Sequence, residues 1–400
     1  MLITNMTVIK KHHLLKEELI KQFYYNKTLS LTELSKLTHK SLPLVTSTVN
    51  NLIEEGYVLE QGLAPSTGGR RGLAFTLNHQ KQRYIVAVAV DQILTKVVIY
   101  DLFNNIKIEP GIKEIVLVDD PLLINSFASF LKDYLSNSGI PLEQILGVGI
   151  GMPGFVNAEQ GVNYTFFKSK GSISLKDHLT RELGVPVFID NDSSLIALAE
   201  LKFGRGRNLK DVLVVNVGWG TGLGMIVNGG LFRGHSGYAG EFSHIPLSQS
   251  NKLCSCGKRG CLEVETSLLV MIERAKTEMT EGVSSGMERE FKNTGDLSGD
   301  SFLQAARSGD PLAVSILSDA AFLIGKGMST LIHIMNPKLI VISGRGAIAG
   351  KILMAPIQRA INEFCIPWLA EQTEIQVSEL ASDSEILGAA TLVIENCNFN

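Results

Sequence analysis

Cysteine is scarce in this chain, five in 400 residues, which excludes a disulfide-built scaffold. Apolar runs are short, and none reaches the roughly eighteen residues that a bilayer-spanning helix needs. The N-terminus has no secretory pattern, because Lys10, Lys11, Lys16 and the pair Glu17 and Glu18 interrupt it. These absences, with 45% hydrophobic and 19% charged residues, predict an ordinary water-soluble, cytoplasmic protein of two or three domains with no membrane partner. A large net charge is missing too, but the total of −3 is unevenly divided. Residues 1–82 hold ten Lys and Arg against six Glu, a surplus of four, whereas the remainder has 27 basic against 34 acidic residues. A modestly basic module on an acidic body suggests an appendage that meets a polyanion.

Three of the five cysteines fall in one short stretch, Cys254-Ser255-Cys256-Gly257-Lys258-Arg259-Gly260-Cys261, and His244 lies ten residues before the first. Thiolates and imidazole are preferred ligands of tetrahedral zinc, and one His with three Cys closes such a site. A disulfide between Cys254 and Cys256 would be strained, while Gly257 and Gly260 allow the tight turn that returns Cys261 to the other two. The plain alternative is three buried free thiols, which spacing this tight disfavours. The metal ligands are therefore expected to be His244, Cys254, Cys256 and Cys261, in a structural zinc knuckle. Glu241 and Glu263 flank it, and a metal that pins them beside His244 would shape a pocket whose carboxylates accept hydrogen bonds from sugar hydroxyls. Solvated loop charges are the alternative for both glutamates.

The run Ala239-Gly240-Glu241-x-x-His244, followed by the three cysteines and Leu262-Glu263, resembles the signature of the ROK family (repressor, open reading frame, kinase). The family comprises bacterial sugar-responsive repressors and sugar kinases on one scaffold, and the resemblance covers nearly the whole chain. It implies a two-lobed α/β, actin-like (ribonuclease-H-like) domain carrying the zinc knuckle.

Ahead of that domain, apolar residues between 10 and 26 are spaced for a helix. Ser30-Leu31-Thr32-Glu33 is a capping box that opens a second helix with Leu31, Leu34 and Leu37 as its core face. A third helix starts near Ser41 and runs to Gly56, with Pro43 in its first turn. Two strands, Tyr57–Glu60 and Leu73–Leu77, then enclose a basic glycine-rich tip. This predicts an N-terminal winged helix-turn-helix. Ser41, Thr46, Ser47 and Asn50 would reach bases or phosphates, and Arg70 and Arg71 at the wing tip would enter the minor groove or meet phosphates. A winged helix used for protein contacts is the alternative. The expected division is 1–82 for this module, 83–190 for the first lobe with 385–400 packing back on it, and 191–384 for the second lobe with the zinc site and a dimerisation surface. Residues 276–300 read as a polar insertion or a solvated helix with loop.

Two strand-turn-strand units, Tyr84–Asp101 and Val212–Val227, suggest a duplicated lobe. Strand Val187–Ile189 runs into Asp190-Asn191-Asp192, at the strand end where α/β sheets place ligands. The ROK resemblance implies that Asn191 orients sugar hydroxyls, that Asp192 is the general base of a kinase or its relic, and that Gly154 in Gly151-x-Pro153-Gly154 lines the same pocket. A capping role for Asp192 or Ser193 is the competing reading. Nucleotide phosphates, if bound, would use Asp91, Thr95, Gly218, Gly220, Thr221 and Gly222. Family kinases carry Asp-x-Gly-Gly-Thr where this chain has Asp91-Gln92-Ile93-Leu94-Thr95, and branched side chains there obstruct phosphate approach. The expectation is a repressor of carbohydrate-utilisation genes that answers a hexose, N-acetylhexosamine or sugar phosphate and binds palindromic operator DNA as a homodimer or tetramer. An Mg-ATP-dependent sugar kinase with an accessory DNA-binding head is the alternative, and a sugar-sensing protein-interaction module a third.

Overall fold

Two five-stranded sheets built to one plan dominate the molecule. The computed structural model describes residues 2–63, 72–118, 120, 122–167 and 173–399, with side chains from His13 onward. In the first sheet, strand Tyr84–Val90 pairs antiparallel with Leu94–Asp101 and parallel with Ile145–Met152. The second sheet repeats this, with Val212–Val217 antiparallel to Thr221–Val227 and parallel to Leu339–Ser343. Each sheet adds a short antiparallel strand beyond the hairpin and a parallel strand on the far side, Val187–Asn191 in one and Glu374–Val377 in the other. The duplicated hairpins are thus two equivalent centres of two lobes. Strands buried on both faces explain why runs such as residues 212–215 read as continuously apolar.

Two helices fill the space between the lobes and the N-terminal module. Helix Asp192–Lys202 follows directly from strand Val187–Asn191, and the C-terminal helix Ser384–Asn396 packs beside it. A Cβ on Gly388 would lie 2.2 Å from the carbonyl oxygen of Leu195, so only glycine permits this approach. The C-terminal helix also lies against strands Tyr84–Val90 and Ile145–Met152. Helix Pro311–Met335 is long and apolar enough to cross a membrane by length and composition, but here it is a core helix packed on Lys351–Phe364.

At the N-terminus, helices Leu2–Asn26, Leu31–Thr38 and Leu42–Glu54 pack with a three-stranded antiparallel sheet of Thr28–Ser30, Leu73–Leu77 and Val58–Leu63, whose strand Thr28–Ser30 joins the first two helices. The first helix begins well before the expected residue 10. The capping box forms as written: Ser30 Oγ accepts from the Glu33 amide, and Glu33 Oε2 from that of Ser30. Leu37 departs from expectation. The helix ends at Thr38, so Leu34 and Thr38 face the core while Leu37 is 42% exposed. One apolar core joins Leu19, Phe23, Leu34, Val49 and Phe75 of this module to Leu195, Leu198, Ile386 and Val393 of the two inter-lobe helices. Residues 276–300 are less solvated than their polarity suggests, since Met279, Met287 and Leu297 are buried in the second lobe.

Candidate functional site

A cleft of about 440 Å³ lies between the lobes. His244 stands where the cleft meets the cysteine cluster. Its Nδ1 is 3.5 Å from Cys254 Sγ, Cys256 and Cys261 place their sulfurs 3.6 Å apart, and all four ligand atoms lie within 4.8 Å of one another. No disulfide joins these cysteines. A tetrahedron of ~2.3 Å metal–sulfur bonds has edges of roughly 3.8 Å, so the donor set fits a tetrahedral metal. Gly257 and Gly260 take positive φ, 82° and 76°, at the turn that brings Cys261 back.

On its other side, His244 presents Nε2 to Glu241 Oε2 at 3.6 Å, and Glu263 Oε2 lies 3.8 Å from Nδ1. Glu241 precedes a single 3-10 turn, Phe242–His244, which puts the two side chains on one face. Burial raises the Glu241 and Glu263 carboxyls above their ordinary range, and the His244 ring opposes that shift. Asp192 is raised as well, by burial first and then by the Glu263 charge, while hydrogen bonds from Ser193 pull it back.

Asn191, not Asp192 or Ser193, caps helix Asp192–Lys202: its Oδ1 accepts from the amides of Ser193 and Ser194. Its Nδ2 donates to the Gly154 carbonyl at 3.3 Å. The sequence places Asn one residue before Asp, so the first free amides of the helix fall to the amide side chain. Gly154, Asn191, Asp192, Glu241, His244 and Glu263 all line the one cleft.

Most of the expected phosphate residues have other occupations. Asp91 Oδ1 accepts from the amides of Ile93 and Leu94, and Asp91 Oδ2 accepts from the Trp219 indole at 3.0 Å. Neither Ile93 nor Leu94 has positive φ. Thr95 is fully buried and Thr221 bonds to Thr266 at 2.9 Å. The Gly218 amide is spent on the Gly220 carbonyl. Gly222 lies inside strand Thr221–Val227, where a Cβ would fall 2.0 Å from Ser193 Oγ, so it serves helix packing.

Sequence reasoning missed three groups here. Trp219 sat unread inside a glycine-rich loop. Arg345 follows strand Leu339–Ser343, lies 3.5 Å from Asp91 and 2.9 Å from Asp300, and stacks over Trp219; the strand-end rule that found Asn191 would have found it. Glu385, at the start of the C-terminal helix, lines the cleft, and burial with the charges of Asp192 and Asp91 raises its carboxyl to about 8. No local signal marks it. Because the folded form binds this proton more tightly than the unfolded chain, its contribution to stability is full below the unfolded value of about 4.3 and falls as pH rises through about 8. Glu385→Gln, always neutral, is therefore expected to melt progressively higher than wild type between about pH 5 and 9. Parallel melting curves across that range would show that Glu385 is not the group responsible.

In the N-terminal module, Ser41, Ser47 and Asn50 are exposed, whereas Thr46 is half-buried and its hydroxyl donates to the Leu42 carbonyl at 2.8 Å. Arg70 and Arg71 lie outside the described residues.

A family profile described as ROK family matches residues 119–396. The chain belongs to the ROK family. A xylose repressor of Caldicellulosiruptor bescii is 28% identical over 406 residues, spanning 98% of this chain and 98% of its own. A glucokinase of Halalkalibacterium halodurans is 31% identical over 279 residues, 69% of this chain and 84% of its own. Among solved structures, a ROK family transcriptional regulator described as a homologue of the Escherichia coli MLC protein superposes with a TM-score of 0.74. That match is 23% identical and covers 92% of this chain and 91% of the other, which establishes a common ROK fold. Similarity to the repressor runs nearly end to end, while similarity to the glucokinase leaves almost a third of the chain unmatched.

Proposed function

We propose that this ROK protein is a sugar-responsive, DNA-binding transcriptional repressor of carbohydrate-utilisation genes, working in the cytoplasm, where its three cluster thiols stay reduced. The observation that supports this most is the state of the cleft's two halves. The sugar half keeps Gly154, Asn191, Asp192, Glu241, His244 and Glu263 together, while in the phosphate half Trp219 and Arg345 occupy Asp91 across the lobes. Phosphoryl transfer depends on positioning and charge stabilisation of phosphates, and Asp91, Thr221 and the Gly218 amide are already engaged elsewhere. Asp192 then acts as a hydroxyl acceptor and not as a catalytic base.

Zinc is the metal that the His244, Cys254, Cys256 and Cys261 donors suit, in a closed structural site. Bound there, it would fix His244 and, through Cys261, Glu263 at the cleft wall, and those side chains with Asn191 and Asp192 would bind and orient the sugar. The N-terminal module is read as a winged helix-turn-helix. Ser41, Ser47 and Asn50 would face the major groove, Thr46 would support its own helix, and Arg70 and Arg71 would serve as the wing's phosphate or minor-groove contacts. Two such heads in a dimer would read palindromic half-sites. The xylose repressor's name adds a pentose to the hexoses and N-acetylhexosamines as ligands to test.

Capture of genomic fragments by the purified protein, sequenced with and without a sugar panel, tests this reading. A few palindromic sites, released by one sugar, are expected. Absence of enrichment under every condition, or ATP turnover with any of the sugars, would overturn it.

A further inference from the structure

Resting on the sugar-sensor reading, the geometry points to a narrower ligand: an uncharged pyranose with an apolar face, held in preference to the phosphorylated form of the same sugar. Two independent features of the cleft carry this. The first is an aromatic corner beside the hydroxyl-binding groups. Phe155, 38% exposed and adjacent to Gly154, sets its ring 6.0 Å from that of Tyr238 and 6.4 Å from that of His244. Tyr238 in turn lies edge-on to Tyr164 at 6.4 Å. Phe155 and Tyr238 line the same cleft as Asn191 and Glu241. A pyranose presents polar edges and at least one face of C–H bonds, and a wall of rings next to a set of hydroxyl acceptors matches both.

The second feature is charge. Asp91, Asp192, Glu241 and Glu263 all line the cleft. Among the described residues that line it, the basic side chains are His244 and Arg345. His244 is committed between Cys254 and the two glutamates. Arg345 is committed to Asp91, Asp300 and the Trp219 ring. A phosphate group would therefore enter a field of carboxylates with no uncommitted cation to receive it, and like charges disfavour it at any depth in the cleft. Hydroxyl groups suffer no such penalty, since carboxylates accept from them directly.

Calorimetric titration of the full-length, metal-loaded protein decides the matter, using D-xylose and matched pairs: D-glucose with glucose 6-phosphate, D-mannose with mannose 6-phosphate, and N-acetyl-D-glucosamine with its 6-phosphate. At least one neutral sugar is expected to bind, with any matched phosphate weaker by about tenfold or more. A phosphate that binds as well as its neutral partner, or better, overturns the inference and leaves the sugar-sensor reading standing. If neither form of any sugar binds, the sensor reading fails and takes this inference with it. Phe155→Ala is expected to weaken the neutral sugar about tenfold, while Phe155→Tyr keeps affinity. Metal content and melting temperature confirm that each variant is folded. Full affinity in folded Phe155→Ala would remove the aromatic wall from the argument.

Discussion

Cys254→Ser protein is expected to lose its metal and, with it, sugar binding, by about a hundredfold or more in affinity. His244 links the two, because its ring is shared between the cluster and the cleft. With one thiolate gone, the remaining donors no longer close a tetrahedron, and a structural zinc supplies about 10–16 kcal/mol of apparent binding energy in small finger peptides. The knuckle's own apolar cluster is small, Cys254, Cys261 and Val264 with Cys256 against them, although backbone hydrogen bonds cross its turn and Leu262 anchors its end in the core of the lobe. Without metal, three buried or half-buried thiols and a histidine have no joint partner, and Glu263, two residues beyond Cys261, loses its fixed place. Metal analysis, melting temperature and sugar titration on one preparation check this. Cys365→Ser and Cys397→Ser are the controls, because both residues are buried thiols outside the cluster. They should lower stability through core packing yet keep the metal. Unchanged metal content in Cys254→Ser would refute the ligand assignment, and full sugar affinity in metal-free protein would detach the knuckle from the cleft.

The knuckle was legible in the sequence because its ligands are local: a histidine, three cysteines and two turn glycines within one short stretch specify the site without knowledge of the fold. Capping of the second helix was legible for the same reason, since Ser30 and Glu33 satisfy each other's backbone donors. Duplication was visible as two similar hairpins, but the meeting of those hairpins was not. Trp219 and Asp91 are 128 residues apart, and their hydrogen bond exists because the lobes face each other. Arg345 and Glu385 belong to the same class, as does the division of labour at Asn191 and Asp192, which depends on where a strand stops and a helix starts. Leu37 shows the opposite limit, because apolar spacing marks a face but not the turn at which the helix ends. The shared core between the N-terminal module and the inter-lobe helices lay beyond any local signal too.

Through that shared core, Glu395→Ala should leave the sugar site and the proposed DNA-binding face intact but cut the effect of one on the other. Helices Asp192–Lys202 and Ser384–Asn396 both begin in the cleft, at Asp192 and at Ser384 with Glu385, and extend roughly 16–20 Å at 1.5 Å per residue. Both end on the first helix of the N-terminal module. Phe203, just past Lys202, packs edge-on against Tyr24 and Tyr25, at 6.0 and 5.6 Å. Glu395 accepts from the Tyr25 hydroxyl at 2.8 Å, pairs with Lys202 at 2.8 Å, and its backbone carbonyl receives Lys21. Against the upward pull of burial, Lys202 and Tyr25 hold its carboxyl below the ordinary range, so the charge is settled in place. A sugar that moves the start of either helix would displace a rigid rod whose far end is bonded to the N-terminal module. Such coupling is typically worth 5–150-fold between sites. In Glu395→Ala, sugar affinity and sugar-free operator affinity should stay within about threefold of wild type, while the sugar-induced change in operator affinity falls about tenfold. Loss of a charged hydrogen-bond network at this half-buried site should cost stability by about 1–3 kcal/mol, and Glu395→Gln, which keeps an acceptor for Tyr25, should cost less and uncouple less. Operator titrations with and without sugar on the three proteins read this directly. An unchanged sugar response in folded Glu395→Ala would mean that the signal reaches the N-terminal module by another route, such as a change in the spacing of two heads across a dimer.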